Sequence, residues 1–92
     1  MNASDYCDFV WAAKRGRELM ARIAFNTLGR HADYPVDVSE LRVLAPENRA
    51  AVNAFLDWAT LHKDYRLGPP NHWRMKSLAK AKLKASERAK DA

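Results

Sequence analysis

The chain has 92 residues, 16 Lys and Arg against 11 Asp and Glu, a formal net charge of +5 and one cysteine. That length suits one domain, and 48 % hydrophobic with 29 % charged residues is a globular balance, not that of a disordered chain. No run approaches the roughly 18 apolar residues that cross a bilayer, the start MNASDYCDF lacks the basic and apolar stretches of a signal peptide, and Cys7 alone makes neither an internal disulfide nor a cysteine-rich zinc site, so a cytoplasmic protein held by an apolar core is expected.

A first helix is predicted over residues 5–28, with Ser4 as N-cap, Asp5 and Asp8 at the positive end of its dipole, and Gly29 as its stop. Tyr6, Phe9, Val10, Ala13, Met20, Ile23, Ala24 and Leu28 recur at three- and four-residue steps and form its core face. Gly16 falls on that face, where either a missing side chain lets another helix approach closely or a glycine is simply tolerated. On the opposite side Trp11, Lys14, Arg15, Glu18, Arg22 and Phe25 share one sector of the wheel, a basic stripe flanked by aromatics. Rings beside Arg and Lys suit unpaired bases and phosphates. They equally suit a protein interface, or a second buried face in which Trp11 and Phe25 pack under the C-terminal helix.

Residues 30–45 are interrupted by Pro35. Val36-Asp37-Val38 alternates as a strand does, but Asp37 and Glu40 have capping-box spacing ahead of Leu41, Val43 and Leu44, so a loop followed by a short helical turn is preferred. The next helix runs over 46–65, with Pro46 at its first position and Ala51, Val52, Phe55, Trp58, Ala59 and His62 on its core side. Gly68-Pro69-Pro70 ends it and redirects the chain. The last helix is expected from His72 to about Ala89 with Asn71 as its N-cap. The fold class is therefore all-α: a single domain over 1–92 built as a small bundle of three principal helices, with a short helical or irregular link between the first and second. Leu41, Leu44 and Leu61 join the expected core.

Residues 1–31 carry five basic and three acidic groups, residues 32–71 four and six, and residues 72–92 seven and two, which gives net charges of +2, −2 and +5. The basic character is concentrated in the last helix. There Lys76, Lys80 and Lys84 are four apart on one ridge that begins at Trp73, with neighbouring stems about 5–6 Å apart. Arg74, Lys82, Arg88 and Lys90 surround the ridge. Cations in this arrangement meet phosphates with an affinity that falls steeply with salt; a solubilising Lys/Ala helix has the same composition. The stiff Gly-Pro-Pro turn and the lysine-alanine helix it precedes, which lacks Asn and Gln readers of base edges, do not match a helix-turn-helix.

Catalytic signatures are absent from the sequence: no glycine-rich phosphate loop, no GxSxG, no HExxH, and no sequence pattern that pairs Cys7 with a base. His31, His62 and His72 lack the spacing of helical metal sites. A non-enzymatic protein without metal or cofactor is expected. It binds RNA or DNA, or a nucleoprotein complex, mainly through backbone contacts, using Trp11, Lys14, Arg15, Arg22 and Phe25 on the first helix and Trp73, Arg74, Lys76, Lys80, Lys84 and Arg88 on the last. The alternative is an inhibitor or adaptor that occludes an acidic surface of a protein machine, for example a phage-encoded anti-defence protein of anti-CRISPR type acting on a ribonucleoprotein.

Overall fold

The computed structural model describes residues 1–79; the ridge positions Lys80 and Lys84, the surrounding Lys82, Arg88 and Lys90, and the expected helix end at Ala89 lie outside them. Helices α1 (Ala3–Ala12), α2 (Arg17–Thr27) and α3 (Pro46–Leu61) each pack against the other two, with a 3-10 helix at Val38–Val43. A further helix, α4, begins at residue 71 and is helical through residue 79. No strand occurs among the described residues, and the fold is an all-α bundle.

Where periodicity predicts one helix over 5–28, the chain makes two. Ala13 turns extended, at φ −65° and ψ 147°, and Gly16 takes the left-handed conformation at φ 72°. A Cβ at Gly16 would lie 2.8 Å from Leu44 Cδ2 and 3.4 Å from Asn48 Nδ2, so the expected close approach is real but falls at a break between helices. The buried Asn48 fixes the break by donating from Nδ2 to the Arg15 carbonyl at 3.1 Å. α1 also starts earlier than expected. Asn2, not Ser4, is its N-cap, its Oδ1 accepting from the Asp5 N–H at 2.8 Å.

Splitting the first helix lets both halves fold around α3. Tyr6 is fully buried; its ring stacks on Phe55 at 4.0 Å, and its hydroxyl donates to the Met20 carbonyl at 2.7 Å, tying α1 to α2. Val10, Met20, Ala24, Val52 and Met75 complete the centre of the core, and Phe9, Leu28, Leu41 and Trp58 pack at its margin. Leu61, expected inside, is 82 % exposed: it stands about 200° round the wheel from the buried Ala59. His62, expected on the core side, is exposed just beyond the end of α3, which stops four residues before the predicted boundary of 65. Its ring stacks on Trp58 at 4.5 Å.

The link between α2 and α3 forms as the preferred reading has it. Asp37 Oδ1 accepts from the Ser39 N–H at 3.1 Å and Glu40 Oε2 accepts from the Asp37 N–H at 2.9 Å, a reciprocal cap that starts the 3-10 helix. Beyond α3, residues 62–70 lead through a cis Pro69-Pro70 bond into α4. Asn71 is the first helical residue, not the cap, since the Arg74 N–H bonds the Pro70 carbonyl at 3.0 Å. α4 buries Met75 and Ala79 against the core.

Candidate functional site

The stripe predicted along one long first helix is divided by the break at Gly16, and its two halves meet different fates. In the second half, Phe25 is fully buried, its ring stacked on Tyr34 at 4.5 Å and perpendicular to His72. Arg22 is 7 % exposed. Its Nε donates to Glu18 at 2.8 Å, its Nη2 to Glu40 Oε1 at 2.8 Å, and its Nη1 to the Pro35 carbonyl at 2.7 Å. Burial alone would pull this guanidinium down in pKa, but the hydrogen bonds it donates to Glu40 and Glu18 outweigh that and hold the charge on. Both are buried: Phe25 packs in the core, and Arg22 anchors the 3-10 helix to α2.

The first half stays near the surface. Trp11, half-buried at the end of α1, meets Trp73 of α4 with ring centroids 5.9 Å apart, and Trp73 remains 64 % exposed. Two guanidiniums approach the Trp11 ring, Arg17 at 5.2 Å and Arg74 at 5.4 Å from its centroid. Arg17 Nη2 donates to the Trp11 carbonyl at 3.1 Å, while Arg74 reaches Asp8 at 3.5 Å. Lys14 and Arg15 lie exposed in the bend beside this cluster, and Lys76 is exposed one turn along α4 from Trp73. The structure thus brings Trp11, Trp73 and Arg74 together with a residue the sequence pattern did not single out. Arg17 is six positions from Trp11, a spacing no continuous helix would place on one face; only the break does so.

A second basic region forms where the segment after α3 returns past the end of α2. A cleft of about 690 Å³ there is lined by Arg30, Lys63, Arg66 and His72, with Leu28 and Tyr65 among its apolar walls. Tyr65 is held by its hydroxyl, which donates to the Ala24 carbonyl at 2.8 Å and pairs with Thr27; burial pushes its pKa to about 12. Arg30 lies far from Lys63 and Arg66 in sequence, and the latter two fall in a non-helical segment, so helical periodicity carries no sign of the cleft.

Cys7 is fully buried, and burial, with the nearby Asp8 charge, pushes its thiol up to about 11, so it stays neutral and shielded at ordinary pH. Among the described residues no group of three His, Cys, Asp or Glu could hold a metal ion, and no helix is long and apolar enough to cross a membrane. Comparison with protein-family models, curated proteins and solved structures finds no match for this chain.

Proposed function

We propose that this chain binds nucleic acid through the surface where α1 meets α4, chiefly by charge and stacking. The observation that carries the reading is the exposed Trp73 ring set against Trp11, with Arg17 and Arg74 at the same cluster and Lys76 one turn away. An indole held by a neighbouring ring loses little freedom when a base stacks on it. A guanidinium over a ring keeps its charge and its remaining donors for a phosphate. Lys80, Lys84 and Arg88 extend the same basic run in sequence, and contacts of this kind position a strand without reading its bases.

The test is binding to fluorescent single- and double-stranded RNA and DNA across a salt series. Steeply salt-dependent affinity with a preference for single strands is expected, and Trp73→Ala should weaken it about tenfold, the scale of one lost base stack. Failure to bind any of the four at low salt would overturn the reading. It would favour an acidic protein surface, for which an exposed Trp is an apt anchor.

A further inference from the structure

The cleft between the end of α2 and the segment after α3 is separate from the Trp11/Trp73 cluster in its lining residues. Its charge is uneven. Arg30, Lys63 and Arg66 stand against one carboxylate in the lining, Asp64, and among the described residues neither Lys63 nor Arg66 enters an ion pair. Arg30 has only a loose contact with the exposed Asp33 at 3.7 Å, and its guanidinium lies over the Phe25 and Tyr34 rings, which fix where it stands. Cations drawn from α2's end and from the later segment therefore converge on one concavity without a counter-charge of matching size.

At about 690 Å³ the cleft is within the size range of small-molecule sites and far roomier than a bare anion needs. Half of the recognition would be apolar or planar: Leu28 and the half-buried Tyr65 form wall, and the exposed His72 ring stands at 83° to Phe25. Tyr65 is pre-set, its hydroxyl already bound to Ala24, so the wall needs no rearrangement to receive a ring. A ligand that answers both features joins a phosphate to a planar group.

We propose that this cleft binds a nucleoside phosphate, the phosphate held by Lys63, Arg66 and Arg30 and the ring resting on the Tyr65 and His72 side. The same chemistry is offered by a free mononucleotide and by one unstacked unit of a strand. The ligand is probed as AMP, adenosine and inorganic phosphate, titrated separately into the isotope-labelled full chain and followed by amide chemical shifts. AMP should shift residues 28–30 and 63–68 and bind about tenfold more tightly than either adenosine or inorganic phosphate, because each lacks one half of the recognition. The double variant Lys63→Gln/Arg66→Gln, both positions exposed, should lose about tenfold in AMP affinity with an unchanged melting curve. Trp73→Ala should leave AMP binding intact. Displacement of AMP by a short single strand would assign the cleft to a unit of that strand; AMP retained in its presence would assign it to the free nucleotide. The proposal is overturned if AMP does not bind at millimolar concentration, if inorganic phosphate binds as well as AMP, if the double variant binds as wild type, or if the shifts fall at Trp11 and Trp73. Absence of AMP binding alongside intact strand binding would remove the cleft and leave the α1/α4 surface standing.

Discussion

Arg22 and Arg74 carry the same charge and belong to the same predicted set of surface cations, and they end as opposites. Arg22 meets two carboxylates and a backbone carbonyl at 2.7–2.8 Å and disappears from the surface. Arg74 meets one carboxylate at 3.5 Å, beside a Trp73 that remains mostly exposed. The residue type does not separate a buried arginine from a partly exposed one; the supply of acceptors does. A guanidinium whose donors are all used inside the protein can be buried, because its desolvation is offset by charge-assisted hydrogen bonds. Arg74, with one loose carboxylate contact, stays where solvent can complete it.

The strongest way to break this contrast is Arg22→Ala. It leaves Glu18 and Glu40 facing each other's charge and frees the Pro35 carbonyl, so a loss of about 3 kcal/mol is expected in urea unfolding, the low end for a broken buried pair because both carboxylates reach solvent. Strand binding measured well below the melting temperature should be unchanged. A loss of binding with no loss of stability would make Arg22 a recognition residue after all.

Alkaline titration probes the core beneath both clusters. The Cys7 thiol ionises at about 11 in the folded protein but near its ordinary 9 once exposed, so between those values the unfolded state loses its proton first and stability falls as pH rises. The loss approaches about 2–3 kcal/mol at the upper end, with Tyr65, held up to about 12, adding to it at higher pH. Cys7→Ala should flatten the lower part of that decline in unfolding curves taken at pH 8 to 11; an unaltered slope would show that the thiol is not what titrates.

Gly16→Ala attacks the break that separates the two halves of the stripe. Left-handed backbone costs a non-glycine residue roughly 1–2 kcal/mol, and the added methyl meets Leu44 Cδ2 at 2.8 Å, so the melting temperature should fall by several degrees. A higher melting temperature would mean that a continuous helix is tolerated. The smallest effect on stability is expected from Trp73→Ala, within about 0.5 kcal/mol because the side chain is largely solvated. Set against its expected tenfold effect on strand binding, that variant sharpens the contrast most.

Local signals in the sequence were enough for the helical class, the Pro46 start, the Asp37/Glu40 cap and most core positions. Each depends on residues within a few places of one another, where periodicity and capping act. Long-range partners escaped that reading. Nothing near Arg22 in sequence names Glu40, eighteen residues on, and nothing near Gly16 shows that Leu44 and Asn48 press against it. Extending one helical wheel across Gly16 placed Arg15, Arg22 and Phe25 in one sector when the backbone between them turns. Arg17 and the Arg30/Lys63/Arg66 cleft went unseen for the same reason: tertiary return of the chain assembles them, and no spacing encodes that return.

The break at Gly16 also bears on how the molecule comes together. α1 has 10 residues and α2 has 11, both below the roughly 12–15 at which an isolated helix begins to hold in water. Each half is marginal as an isolated rod and draws its stability from contacts such as that of the Tyr6 hydroxyl with the Met20 carbonyl and that of the Tyr6 ring with Phe55. The helicity of the N-terminal third is thereby tied to its packing on α3.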